Sequence, residues 1–156
     1  MPAEGGAPAV DDLRERLVGL QFPEGVSEIG RHEAWLGHQA MAAPGDDAGE
    51  LHPLWPMVVG MRGMGLSVSQ LSELAEMKSE DSLLFGELKI TQDKPLAVET
   101  KYVVQGEIIG LDRREGRRAG VFDVVTFELK LFTQGNASAE HAVATVRNSF
   151  VFVRRT

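Results

Sequence analysis

The sequence predicts an α+β protein in which helices come first and a mainly antiparallel sheet follows. Apolar residues recur at helical spacing as far as about residue 77 and at two-residue spacing beyond it. Four predicted strands follow one another through short connections. Short connections favour antiparallel pairing, because parallel strands need long crossovers.

Composition limits the class of protein. The chain has 156 residues, of which 43% are hydrophobic and 25% charged, as in an ordinary globular domain. Its start lacks the basic and apolar regions of a signal peptide, and no apolar run approaches a membrane span, so we expect a cytoplasmic protein that does not bind membranes. The net charge of −7 argues against nucleic-acid binding. The absence of cysteine excludes disulfides, thiolate nucleophiles and cysteine-ligated zinc.

The chain is expected to begin with a tail and a short helix. Residues 1–9 consist mainly of Pro, Gly and Ala, which predicts a disordered tail before a single domain over residues 10–156. The helix carries three leucines on one face, namely Leu13, Leu17 and Leu20. Asp11, Asp12 and Glu15 lie near its N-terminus, where the helix dipole favours acidic side chains, and Pro23 ends it.

A second helix is predicted between Ser27, as its N-cap, and Pro44. It contains His32 and His38, which are six positions apart and therefore do not share a face as metal ligands at i and i+4 would. With no third ligand in register, we expect no metal site. Both histidines are expected to lie at the surface.

The central element is a predicted helix from Met57 to Met77. Its apolar stripe consists of Met57, Met61, Met64, Val68, Leu71 and Ala75. Its first half carries small residues, which weaken a helix but allow close packing: Gly60, Gly63, Gly65, Ser67 and Ser69. We expect this helix to be covered by a curved sheet of at least four strands. The alternative is an amphipathic surface helix that is rich in glycine.

The sheet is predicted from two-residue alternation. Its strands are expected at Phe85–Thr91, Tyr102–Leu111, Val121–Phe132 and about Ala142–Val153. The third strand shows the clearest buried face, formed by Val125, Phe127, Leu129 and Leu131. Gln134-Gly135-Asn136 predicts the turn before the last strand.

The loop before the central helix holds a candidate acid/base group. Asp46, Asp47 and Glu50 place three carboxylates near the imidazole of His52. An imidazole held by a carboxylate can transfer protons near neutral pH. The alternative is a solvated acidic turn.

A basic cluster lies between two predicted strands: Arg113, Arg114, Arg117 and Arg118, with Arg147, Arg154 and Arg155 later in the chain. Arginine suits phosphate because of its fixed fork of donors, so a phosphorylated ligand or an acidic carrier protein is one candidate. A solvated hairpin tip is the other. The glycines from Gly60 to Gly65 follow no strand, and no Gly-Lys-Ser/Thr occurs, so no nucleotide cofactor is expected.

Three segments of the strands carry a resemblance to a known family: Tyr102–Ile109, Gly116–Glu128 and Arg147–Phe152. Together with the glycine-rich helix, they resemble the MaoC-like hydratase/dehydratase family, especially the branch related to dehydratase domains of fungal and mycobacterial fatty-acid synthesis. The similarity covers about residues 26–154. It implies a hotdog fold, in which a curved antiparallel sheet wraps a long central helix.

The resemblance also implies a chemistry. Active members carry Asp-x-Asn-Pro-x-His before the helix and act on enoyl thioesters of coenzyme A or acyl carrier protein. Here Asp47 and His52 keep the spacing, but Gly49 and Glu50 replace Asn-Pro. The family's backbone donor to the thioester carbonyl maps onto Gly60.

Two functions therefore stay open. One is an enoyl-thioester hydratase or 3-hydroxyacyl-thioester dehydratase, and the other is a non-catalytic subunit that completes a heteromeric dehydratase and shapes its acyl channel. Either implies a homo- or heterodimer of hotdog subunits. Thioesterase activity lacks an early carboxylate on the helix, since Glu73 lies late and is expected to face solvent.

Overall fold

A computed structural model describes residues 6–44, 49–135 and 141–155. Asp46 and Asp47 lie outside these ranges, as do residues 1–5 of the predicted tail and Asn136 of the predicted turn. The helices are α1 (Val10–Leu17), α2 (Arg31–Ala40), α3 (Trp55–Gly63) and α4 (Val68–Leu74), and the strands are β1 (Gly25–Ser27), β2 (Ser82–Gln92), β3 (Tyr102–Gly116), β4 (Gly120–Thr133) and β5 (Ala144–Val153). In the part of the chain described, no helix is long and apolar enough to cross a membrane.

The strands form one antiparallel sheet in the order β1-β3-β4-β5-β2. The predicted face of β4 is confirmed, because Val125, Phe127, Leu129 and Leu131 are all 0% exposed. On β5 the same face holds Val146, Phe150 and Phe152, which are also buried. The alternation of the two central strands thus defines one apolar face, on which the helices pack.

The first strand and the second helix differ from prediction. Ser27 lies in β1, where it pairs with Tyr102 of β3, and does not cap a helix. The second helix instead begins at Arg31 after Gly30 and ends at Ala40. A strand of three residues is too short to show an alternation in the sequence.

The predicted continuous helix from Met57 to Met77 is in fact two helices. The first, α3, begins earlier, at Trp55, and the chain breaks after Met64 at Gly65, whose φ is +78°. A Cβ on Gly65 would lie 1.7 Å from the carbonyl oxygen of Pro23, so this approach requires glycine. The second helix, α4, then starts with Ser67 as N-cap in a reciprocal capping box with Gln70.

The small residues of α3 pack closely on the sheet, as their pattern predicts. A Cβ on Gly63 would lie 2.4 Å from Val104 Cγ2 of β3, and one on Gly25 of β1 would lie 2.3 Å from the carbonyl oxygen of Gly63. This backbone contact brings α3 across β1, β3, β4 and β5. The start of α3, and with it His52, is thereby fixed relative to the sheet.

Candidate functional site

The segment that leads into α3 is held by a short antiparallel pairing. Leu51 N–H donates to the carbonyl oxygen of Leu96 at 2.7 Å, and Val98 N–H donates to that of Gly49 at 3.0 Å. Glu50 lies between these bonds, in a bridge with Ala97. Gly49 has φ +77°, which favours glycine. Gly49 and Glu50 are thus restrained by their own backbone pairing.

His52 is half-buried and is fixed at two points. Its backbone N–H donates to Nε2 of His38 at 3.2 Å, and its own Nδ1 accepts the N–H of Leu54 at 3.1 Å. Because Nδ1 accepts this hydrogen bond, the neutral imidazole carries its hydrogen on Nε2. The ring therefore presents an Nε2–H donor at the start of α3.

His38 is 8% exposed, so the prediction that both histidines lie at the surface is wrong for His38. It is correct for His32, which is exposed and stacks on Trp35. His38 is buried because its ring packs against Trp55 of α3, with ring centroids 6.1 Å apart, while its Nε2 accepts from His52. This side chain was missed because its role depends on a contact between α2 and the start of α3.

Trp55 forms a cluster with His38 and His52. It is 6% exposed, and its backbone N–H donates to the carbonyl oxygen of His52 at 3.0 Å. The indole lies directly on Gly37 of α2, where a Cβ would be 2.4 Å from Cζ2. Its Nε1–H is buried and has no acceptor among the residues described.

The placement of Gly60 does not agree with its predicted role as an oxyanion donor. Gly60 lies inside α3, beyond the first turn, where backbone N–H groups donate within the helix. It is buried against β4, and a Cβ would lie 3.1 Å from Leu129 Cδ1. Its absent side chain serves close packing. Asp47, which is predicted to act with His52, lies outside the described residues.

The basic cluster divides into two parts. Arg113 lies on β3 and donates from Nε and Nη2 to both carboxylate oxygens of Asp123, at 2.7 and 2.9 Å, and this contact raises the pKa of Arg113. That engagement gives Arg113 a structural role within the chain. The exposed side chains are Arg114, Arg117 and Arg118, around the β3–β4 turn.

This turn is distant from the part of β4 on which α3 packs. Gly60 packs on Leu129, and the strand from Leu129 to Gly120 spans about 30 Å at roughly 3.3 Å per residue. Among the described residues, the exposed arginines therefore lie at the far end of β4 from the residue on which α3 packs.

Of the later arginines, Arg154 is 4% exposed and ties the sheet to the end of α4. It donates to Asp123 at 2.8 Å and to Asp81 at 3.0 Å, and to the carbonyl oxygens of Ala75 and Glu76. Arg147 contacts Glu128 on the outer face of the sheet. Both are structural contacts within the chain.

One polar residue on the core face was not predicted. Asn148 on β5 is 0% exposed, and neither its Oδ1 nor its Nδ2 has a partner among the residues described. It pairs across the sheet with Phe127 and Leu88. Glu73 is exposed, as predicted. Within the described ranges, no group of three or more His, Cys, Asp or Glu residues is placed to hold a metal.

Comparison with known proteins shows the fold. No protein-family model matches the sequence. No curated protein matches it significantly. Similar solved structures include a chain of the ChsH1-ChsH2 complex from Mycobacterium tuberculosis, with a TM-score of 0.68, 11% identity, and coverage of 94% of this chain and 90% of that one.

Two further structures agree. A chain of the HadBC (3R-hydroxyacyl-ACP dehydratase) complex from Mycobacterium tuberculosis has a TM-score of 0.63 at 13% identity, with coverage of 86% and 96%. The MaoC-like dehydratase from Rhodospirillum rubrum has a TM-score of 0.59 at 12% identity, with coverage of 91% and 96%. The chain has a hotdog fold. At these identities the likeness carries the fold alone, and the chemistry of this hotdog domain has to come from its own residues.

Proposed function

We propose that this chain is an enoyl-thioester hydratase, or equivalently a 3-hydroxyacyl-thioester dehydratase, that uses Asp47 and His52. The observation that carries the proposal is the fixed imidazole of His52 at the start of α3. His38 holds the backbone N–H of His52, the N–H of Leu54 holds the ring at Nδ1, and the ring's Nε2–H is the group left for a ligand. A histidine in a solvated turn with no ligand to bind would not need these two hydrogen bonds.

The tautomer of His52 suggests how the work is divided. Because neutral His52 donates from Nε2, it suits holding the oxygen of the attacking water, while the Asp47 carboxylate suits the general base. Asp47 takes a proton from water as the oxygen adds to the β-carbon, and the same carboxylic acid returns a proton to the α-carbon. Water is thereby added across the double bond with no other reactant.

Purified protein and a short trans-2-enoyl-CoA provide the test. Wild-type protein is expected to form the 3-hydroxyacyl thioester, and His52→Ala and Asp47→Asn are each expected to lower the rate on the order of a hundredfold, as loss of an acid/base group does. His32→Ala is the control, because His32 is an exposed histidine on the same helix as His38. Activity that survives both substitutions would contradict the proposal.

A non-catalytic subunit is the second candidate function. Two similar structures are complexes, HadBC and ChsH1-ChsH2, and this chain lacks Asn-Pro between Asp47 and His52. The candidate predicts protein that is inert alone and that supports a motif-bearing hotdog partner. In that assay His52→Ala and Asp47→Asn would leave the activity of the mixture unchanged.

We also propose that a second hotdog subunit pairs with β2. This strand is one edge of the sheet, and its Leu84 and Phe85 are each 54% exposed. Unpaired edges with apolar side chains favour association with another chain. Light scattering is expected to give a dimer, alone or with a partner, and Leu84→Lys is expected to weaken it. A monomer at micromolar concentration under both conditions would contradict the pairing.

The exposed arginines are proposed to contact coenzyme A phosphates or an acidic carrier protein. Because they lie far along β4 from the residue on which α3 packs, we assign them to docking and not to the chemistry. Reversing charge at Arg117 and Arg118 should weaken binding of a coenzyme A thioester, more strongly at low salt. Reversal at Lys101 and Lys130, which are exposed and lie away from this turn and from β2, makes the same charge change and should have no such effect. Equal effects of the two pairs would contradict the proposal.

A further inference from the structure

The proposed reaction needs a donor that the backbone at the start of α3 does not supply. Negative charge develops on the thioester carbonyl oxygen as water adds, and a preorganised hydrogen-bond donor stabilises it. The backbone N–H groups here that already have acceptors are those of Leu51, His52, Leu54, Trp55 and Met57. Pro53 and Pro56 have no N–H, and Gly60 donates within the helix.

A side-chain donor without an acceptor lies in the same cluster. The indole N–H of Trp55 is buried and unpartnered among the described residues. Trp55 contacts both histidines, since its backbone N–H bonds the carbonyl oxygen of His52 and its ring packs against His38. Burial of an unpaired donor is unfavourable, and phenylalanine would fill most of this space without that disadvantage. A polar group supplied from outside the chain would give this N–H the acceptor that the described residues do not.

The donor is also held in place. The indole lies against the backbone of Gly37 on one side, where any side chain would collide with Cζ2 at 2.4 Å. The ring of His38 lies on another side at 6.1 Å between centroids. A ring packed in this way has little freedom to turn, so its N–H is preorganised for a ligand, as stabilisation of a developing charge requires.

We infer that the Nε1–H of Trp55 donates a hydrogen bond to the carbonyl oxygen of an acyl thioester bound beside His52. This inference rests on the proposed function for the identity of the ligand. The indole transfers no proton, so it remains a donor in the free, bound and reacting states. Trp55 takes the role that the sequence resemblance assigned to Gly60.

The indole resonances of the wild-type protein test the contact directly. The chain has two tryptophans, and Trp35→Phe identifies which indole N–H signal belongs to Trp55. Trp35 is 57% exposed on α2 and is the internal control. On addition of a short trans-2-enoyl-CoA, the Trp55 indole proton should shift downfield, while free coenzyme A, which lacks the carbonyl, should leave it in place. A Trp55 signal that responds to neither compound, or equally to both, would overturn the inference.

A substitution gives the second measurement. Trp55→Phe removes the N–H and keeps an aromatic ring, so binding of the enoyl-CoA should weaken about three- to tenfold, while binding of free coenzyme A should not change. Trp35→Phe should leave both affinities unchanged. If Trp55→Phe fails to fold, the indole shift in the wild-type protein still decides the question.

The outcomes separate this inference from the proposed function. Binding of the thioester with a Trp55 shift but without hydration would keep the donor and reject the hydratase. Hydration without a Trp55 shift would reject the donor and keep the hydratase. A protein that binds no thioester would reject both.

Discussion

Replacing Arg154 by methionine should cost this domain a large part of its stability. Arg154 is 4% exposed and is the cation between Asp123 and Asp81, which are 0% and 8% exposed. Removing one partner of a buried ion pair costs roughly 3–5 kcal/mol, because the other charge stays buried. Asp123 keeps its two bonds from Arg113, so we expect about 3 kcal/mol, toward the lower end of that range. This is a large fraction of the roughly 5–15 kcal/mol typical of a domain.

Urea denaturation measures this loss, and Arg155→Met is the matched control. The Arg155 side chain is exposed, and the contact it makes with Asp81 comes from its backbone N–H, which methionine retains. Arg155→Met should therefore change the free energy of unfolding by less than about 0.5 kcal/mol. If Arg154→Met lay equally close to the wild type, the claim that this network joins α4 to the sheet would be refuted.

The contact of Arg154 with Asp81 also predicts that the free energy of unfolding depends on pH. Burial raises the pKa of Asp81, but the N–H groups of Arg155 and Lys78 and the Arg154 side chain outweigh it, so the pKa lies below its ordinary value of 3.8. A depressed carboxyl pKa contributes stability above the unfolded pKa, and this is lost as pH falls through the folded pKa. The stability difference between wild type and Asp81→Asn should be full at pH 7 and shrink below about pH 4. A difference independent of pH would contradict this.

The remaining predictions concern single side chains. Gly19, after α1, has φ +90° and open space around its Cβ position, so Gly19→Ala should cost about 1–2 kcal/mol from left-handed strain alone. Gly65→Ala should cost more, because a carbonyl oxygen occupies its Cβ position. Urea midpoints in the reverse order would contradict this. Asn148→Leu should raise the free energy of unfolding by about 1–3 kcal/mol, because it removes two unpaired buried polar atoms. A lower free energy of unfolding in the same assay would contradict the absence of a partner for this side chain among the described residues. His38→Ala should lower kcat about tenfold by releasing the backbone of His52, whereas His38→Gln, which keeps an acceptor, should retain more activity. Equal losses of kcat in the two variants would argue against the view that His38 positions His52.

The sequence predicted the sheet better than the helices, for a physical reason. Each long strand shows its buried face locally, because alternate side chains point to opposite sides whatever the rest of the chain does. The break in the central helix depends on the approach of Pro23 to Gly65, which no local pattern shows. A local sign did exist, since Ser67 and Gln70 have the spacing of a capping box.

The candidate site was predictable only in part. The spacing of the loop singled out His52, and the structure gives that residue a fixed ring. The roles of His38 and Trp55 arise where α2 meets the start of α3, so neither could be found from spacing along one helix. Gly60 was assigned from a resemblance that assumed a helix start nearer to it than the one at Trp55.

Incubation of the protein with a short trans-2-enoyl-CoA in D₂O tests the central claim most directly. Hydration through a solvent-derived proton predicts a 3-hydroxyacyl-CoA that carries one deuterium on its α-carbon, visible by NMR and mass spectrometry, and a strong loss of that product with His52→Ala. Release of free coenzyme A thiol, or recovery of unreacted enoyl-CoA without deuterium, would contradict the claim that this hotdog domain is a hydratase.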